Sequence, residues 1–327
     1  MKRRSLLQAG LATSASWLGA PAGAQARFPD RAITIVNPAA PGGSGDVFGR
    51  KFAERLGSQL QQNIVVENRA GAAGAIGAAS VARAKPDGYT LLMGTTGSQT
   101  IAMALMENPA YDPVRDFAYI SVLSATPMNL LVNPAFPAKT VAELIAVVKA
   151  TPGKYSYASA GPGGLAHLTA ELFKKQVGGL DLVHVPYKGG APALQDVISG
   201  QVPMLFDALS ANLPFLRAGK IRILALCTER RSAVVPEIPT MAEAGVPGLV
   251  SQTANIFAAP RGTPPDIVRR LSEASAAVMQ EESFRKELEA LTIQIIPDTN
   301  PQSATEYVRQ EVAKWTAIIK ANNIKAT

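Results

Sequence analysis

The chain has 327 residues but only two histidines, His167 and His184, and one cysteine, Cys227. Chemistry that needs an imidazole or a thiolate therefore has few places to sit. A hydrolase would use Ser44 or Ser159 as nucleophile and would need a base within reach. His167, one turn into a helical segment, is the base available beside Ser159. No G-x-S-x-G elbow is present, and no Cys/His spacing suggests zinc. His184 lies in the apolar run "LVHVPY" and reads as structural, and Cys227 ends "IRILALC" as a buried strand-end thiol. Asp207 closes "MLFD", where a strand end would meet a cleft; it can accept a ligand ammonium or hydroxyl, or cap the next turn. Asp46 suits the positive start of a helix.

The stronger signal is a pair of glycine turns. "NPAAPGGSGD", Asn37 to Asp46, follows an apolar run and opens a helical pattern, and "ASAGPGGLAH", Ala158 to His167, does the same. A dinucleotide fingerprint requires a third glycine where Phe48 stands, and neither Gly-Lys pair, Gly153-Lys154 or Gly219-Lys220, continues as a P-loop. An anion site remains. The first turn of a helix carries unpaired N–H groups and partial positive charge, and glycine admits a ligand to the backbone. Neither turn contains Lys or Arg, so backbone amides and the hydroxyls of Ser44 and Ser159 would hold a carboxylate. The plainer alternative is that the glycines only make tight bends.

Positioning these turns requires alternating strands and helices. "AITIVNP", "NIVVEN" and "YTLLMGT" read as strands separated by helical "SGDVFGRKFAERLGSQL" and "GAIGAASVARAK". A second series follows through "MNLLVNP", "YSYASA", "LVHVPY", "VPMLFDA" and "IRILALC". Its first helix, "KTVAELIAVVKATPG", has Thr140 as N-cap and Glu143 as capping-box partner. "QTANIFAAP" and "TIQIIP" are further strands, and "PQSATEYVRQEVAKWTAIIKANN" is a long terminal helix. Short β-branched runs between helices predict an α/β fold with a mostly parallel sheet, in two lobes that each present one glycine turn. Ligands in such sheets bind at the carboxyl ends of strands.

Composition bounds the rest. With 47% hydrophobic and 17% charged residues, a large packed core is expected and disorder is not. "MKRRSLLQAGLATSASWLGAPAGAQA" has a basic start, a short apolar middle and a small-x-small end. It predicts a signal peptide over 1–26, of the general secretory or the twin-arginine type, and hence an exported protein. Removing Lys2, Arg3 and Arg4 lowers the formal charge from +7 to +4, too little for a nucleic-acid footprint. No metal or cofactor site is indicated.

The ordered series "PGGSGD", "VVENRAGAAGAIGA", "KPDGYTLLMGT", "YDPVRDF", "YASAGPGGLAHL", "HVPYKGGAPALQDVISGQV", "FDALSANLP" and "AGKIRILAL" resembles the Bug (TctC-type) solute receptors of tripartite tricarboxylate transporters. The resemblance runs from about Phe28 to the terminal helix. It implies a two-domain, type II-like periplasmic binding protein of Venus-flytrap form. Residues 27–124 with 252–327 would form one domain and 125–251 the other, with two strands crossing near Ser121–Leu131 and Ser251–Ala259. It also implies a monomer that holds a small carboxylated solute between the glycine turns and delivers it to a membrane permease. Carried over residue by residue, the ligand set is Ala40, Gly42, Gly43 and Asp46 in one lobe and Ser159, Ala160, Gly163 and His167 in the other. Thr95, Ser98 and Asp207 would shape the remainder. Gly164, Ala208 and Gln99 stand where relatives often carry a hydroxyl residue, Asn and His. Two other readings stand beside this one: the exported hydrolase, and a solute sensor for a membrane signalling partner.

Overall fold

The computed structural model describes residues 28–106 and 108–324. The signal-peptide expectation over 1–26 lies outside the described residues. In the first part of the chain, β1 (Ile33–Asn37), α1 (Ser44–Leu60), β2 (Ile64–Asn68), α2 (Ala75–Ala82) and β3 (Thr90–Thr95) alternate as expected. A π-helical turn over Gly97–Ile101 and the short α3 (Ala102–Leu105) follow. Strand β1 pairs in parallel with both β2 and β3. Its near-continuous apolar sequence fits burial on both faces.

"MNLLVNP" is not a separate strand. It is the far end of β4 (Phe117–Val132), a 16-residue strand. The second part continues with α4 (Val141–Ala150), β5 (Ser156–Ser159), α5 (Leu165–Gln176), β6 (Val183–Pro186), α6 (Gly190–Ser199), β7 (Met204–Ala208), α7 (Leu209–Arg217) and β8 (Arg222–Leu226). Helix α4 has the expected N-cap, Thr140 Oγ1 accepting the Glu143 N–H at 3.1 Å, but Glu143 reaches one residue past the N-cap, to the Lys139 N–H at 2.6 Å, instead of closing the box on Thr140. Strand β9 (Gln252–Pro260) then precedes α8 (Pro265–Gln280), α9 (Glu282–Ala290), the two-residue β10 (Gln294–Ile295) and α10 (Pro301–Asn322).

The sheet runs β2-β1-β3-β9-β4-β7-β5-β6, with β8 and β10 also paired to β4. The outer strands are parallel within each half, but β9 and β4 are antiparallel to their neighbours. The mixed sheet thus follows from the two crossing strands. Strand β4 pairs with β9 up to Pro127 and with β7 from Met128 onward. The chain returns beside this point, where the Met128 N–H donates to Ser251 O at 3.0 Å.

Each half packs helices on both faces. In the first, Phe48, Phe52 and Leu56 of α1 meet Leu271 of α8 and Phe284 of α9, and Ala78 of α2 meets Val308 of α10 on the other face. In the second, α5 buries Leu168 and Phe173 with Leu144 of α4, and α6 buries Leu194 and Val197 with Leu209 and Leu213 of α7. Helix α10 belongs to both halves. Ala304 and Val308 sit in the first half's core, whereas Trp315 and Ile319 pack with Phe136 and Phe173 in the second.

Candidate ligand-binding site

The first glycine turn is set by the residue that ends β1. Asn37, fully buried, donates Nδ2–H to Gly45 O at 2.8 Å and accepts the Ala39 N–H at 3.0 Å. Gly42 adopts a left-handed φ of +77°, and its N–H donates to Asp46 Oδ2 at 2.8 Å. The other carboxylate oxygen of Asp46 accepts from Asn68 at 2.8 Å and pairs with Arg50 at 2.9 Å. Burial pushes the Asp46 carboxyl up, but the Gly42 N–H, Arg50 and Asn68 outweigh it and hold it below the usual range. Gly43 is the N-cap of α1 and has no side chain to bond the first turn. The Asp46 N–H donates to Gly43 O at 2.9 Å, and among the described residues the Ser44 and Gly45 N–H groups have no acceptor, which leaves them for a ligand.

The second turn repeats this geometry. Gly163 has φ of +71°, and its N–H donates to His167 Nδ1 at 3.1 Å. Gly164 is the N-cap of α5, with φ −82° and ψ 167°, close to −72° and 166° at Gly43. His167 must keep Nδ1 unprotonated to accept this bond, so its neutral form carries the proton on Nε2. Its ring stacks on His184 with centroids 4.2 Å apart, and His184 stacks in turn on Tyr157. Burial lowers the pKa of His167. Burial and then the neighbouring His167 bring His184 down to about 4. Ser159 is fully buried, and its Oγ lies 2.7 Å from His184 Nε2 while also accepting the Gly161 N–H at 3.2 Å.

The turns open on one cavity of about 110 Å³ between the two halves. Of the residues singled out from sequence, Ala40, Gly43, Ser44, Thr95, Ala160 and Asp207 line it. Gly42, Asp46, Ser98, Ser159, Gly163 and His167 do not; they sit behind the wall and hold its turns. Ser98 is one such brace: its Oγ accepts the Thr95 N–H at 3.0 Å. Gly164 and Ala208 belong to the wall, but Gln99 does not. Gln99 is fully buried and accepts the Tyr119 hydroxyl at 2.7 Å.

Two further wall segments were not singled out from sequence. Gly189 and Gly190 open α6 against the cavity. A methyl group on Gly189 would lie 2.5 Å from Ala40 Cβ across the cleft. The only trace in the sequence is the Gly-Gly of "YKGGAP". The other segment is the loop Gly71-Ala72-Ala73-Gly74, whose φ values are all positive, including +46° and +53° at the two alanines. Ala73 packs across the cleft: its Cβ would be 3.3 Å from a methyl on Gly164. Strain of this kind collects where a loop is held for function.

Among the described residues, no Lys, Arg or His lines the cavity, and Asp207 is its one ionisable residue. Burial raises the Asp207 carboxyl to about 7, opposed only by the Ala208 N–H. Among the described residues, no His/Cys/Asp/Glu cluster could hold a metal ion. The arrangement suits an anion at the helix starts and a proton donor at Asp207.

Comparison with known proteins agrees with this geometry. The TctC family, described as the tripartite tricarboxylate transporter family receptor, matches residues 48–324. Protein BugT of Bordetella pertussis is 32% identical, with 98% of each chain covered. The structure of R. palustris Rpa4515 with adipate is similar at a TM-score of 0.87 and 36% identity, covering 91% of this chain and 99% of that one. MatC (Rpa3494) from Rhodopseudomonas palustris with bound malate has a TM-score of 0.85 and 33% identity, covering 89% and 100%. The chain belongs to the TctC family of tripartite tricarboxylate transporter receptors.

Proposed function

We propose that the protein is a periplasmic receptor that captures a small carboxylated solute and delivers it to the membrane permease of a tripartite transporter. One observation carries this reading. Two glycine turns of the same local geometry present the starts of α1 and α5 to a single cavity that, among the described residues, contains no cationic side chain. Backbone amides there can bind a carboxylate without a counter-ion. Relatives bound to adipate and malate support the ligand class.

In this reading Ala40, Gly43, Ser44, Thr95, Ala160 and Asp207 contact the solute, while Gly42, Asp46, Ser98, Ser159, Gly163 and His167 act by fixing the turns. The lobes are residues 27–124 with 252–327, and 125–251, with the end of α10 strapped to the second lobe. They hinge where β4 passes from β9 to β7 and close on the solute. The receptor works as a monomer. A hydrolase using Ser44 or Ser159 is less well supported: Ser44 lines the cavity, but Ser159 and the candidate base His167 do not.

A thermal-shift screen against mono-, di- and tricarboxylates tests the reading. A ligand at 100 times its dissociation constant adds roughly 2.7 kcal/mol to stability. Stabilisation by a neutral sugar or a nucleotide, with no carboxylate active, would overturn it. Delivery is tested by solute uptake into vesicles carrying the permease, which should require the receptor.

A further inference from the structure

Asp207 is the exception in its own site. The carboxylate is about nine-tenths buried and faces a cavity whose remaining wall is backbone, hydroxyl and apolar groups. Among the described residues no side chain donates to it; the Asn129 amide bonds the Asp207 backbone carbonyl instead, at 2.9 Å. Gly190 leaves the space beside it, since a methyl there would lie 3.0 Å from Asp207 Oδ1.

The neighbouring elements offer no compensating charge. Helix α7 presents Ser210 and Asn212, and the α6 carboxylate of Asp196 takes the Tyr187 hydroxyl at 2.6 Å. On the β5–α5 side, Tyr157 donates to Glu171 at 2.6 Å, and Glu171 pairs with Lys174 at 2.7 Å. His167 accepts from Gly163, and Asp46 of α1 is bonded within its own turn. Asp207 is thus a buried carboxyl whose missing partner has to come from the ligand.

Resting on the carboxylate-receptor reading above, we propose that Asp207 reads the far end of the solute. It selects carboxylates whose second polar group offers a proton over fully ionised dianions. That group is a hydroxyl, an ammonium, or a carboxyl that shares a proton with Asp207. With its carboxyl titrating near 7, Asp207 can bring the shared proton itself at lower pH and repels a second carboxylate once ionised. Ala208, beside it in the wall, donates its backbone N–H but has no side-chain amide to offset that repulsion further.

The test is calorimetric titration of the protein and of Asp207→Asn with butanoate, 4-hydroxybutanoate, 4-aminobutanoate and succinate, and with their six-carbon counterparts, from about pH 6 to about pH 9. In the wild type, the dianion should weaken about tenfold per pH unit above the Asp207 titration. The hydroxy acid should hold its affinity, and the amino acid should bind best when Asp207 is ionised. In Asp207→Asn the dianion's pH dependence should vanish, and the amino acid should weaken at least tenfold. A flat dianion profile in the wild type, or a substitution that shifts every ligand equally, overturns the proposal while leaving the receptor reading intact. The wild-type profile decides this even if the variant folds poorly. Binding of none of these ligands overturns both.

Discussion

Gly163 and His167 are joined by an N–H···Nδ1 bond of 3.1 Å, and Gly42 and Asp46 by an N–H···Oδ2 bond of 2.8 Å. In each turn, a glycine in the left-handed region is clasped by a side chain four residues on. The next residue is then free to start a helix toward the cavity. His167→Ala would leave a buried N–H without a partner, at a cost of about 1–3 kcal/mol, and should loosen the turn and weaken ligand binding. His167→Asn keeps an acceptor and should recover part of both. Denaturant unfolding and ligand titration of the two variants check this; equal losses would mean that the imidazole matters for packing alone.

The same clasp makes the protein acid-sensitive, although a second group masks it. The depressed pKa values of His167 and His184 mean that the unfolded chain binds more protons just below 6.5. Their contribution to stability is therefore lost as pH falls from there toward about 4. Asp207 acts in the opposite sense. Its folded value of about 7 lies above the 3.8 of a free aspartate, so its contribution is lost as pH rises across that window. Wild-type melting temperatures should therefore fall less on acidification across this window than those of a variant without the Asp207 carboxyl. Asp207→Asn should expose the histidine loss as a steady fall on acidification.

At about pH 8 the same substitution should stabilise the fold. A shift of this size corresponds to at most about 4 kcal/mol at 1.36 kcal/mol per unit, with cavity hydration reducing it. Such a gain would mark Asp207 as a residue kept for binding at the expense of stability. Unfolding free energies of both proteins at this pH measure it, and a less stable variant would contradict the expectation.

Gly189 faces Ala40 across the cleft, where an added methyl would sit 2.5 Å from Ala40 Cβ. Gly189→Ala should therefore keep the lobes apart and reduce affinity at least a hundredfold. It should also cost about 1–3 kcal/mol of backbone strain at φ +123°. Adding Ala40→Gly should restore part of the affinity but none of the strain. Small-angle scattering with saturating ligand would show the single variant more extended than the wild type. An unchanged profile would mean that closure does not bring these residues together.

Much of this was legible in the sequence for definite reasons. Alternating apolar runs and capped helices marked nearly every element, because the central strands such as β1, β4 and β7 bury both faces and Thr140 and Asn300 cap as their types suggest. The two Pro-Gly-Gly turns stood out by repetition. Pro127 hid the continuity of β4, since proline reads as a breaker; here it lies where the strand passes from β9 to β7. The positive φ values at Ala72 and Ala73 were invisible, because alanine gives no local warning of them. The roles of Asp46 and His167 behind the wall depend on hydrogen bonds that only the folded turns define.

The most direct test is a crystal structure of the protein with whichever carboxylate stabilises it most. The expected result is a carboxylate seated between the first-turn amides of α1, near Ser44 and Gly45, and those of α5, near Leu165 and Ala166, with its far end at Asp207 and no lysine or arginine in contact. A ligand bound outside this cavity, or held by a cationic side chain, would contradict the account.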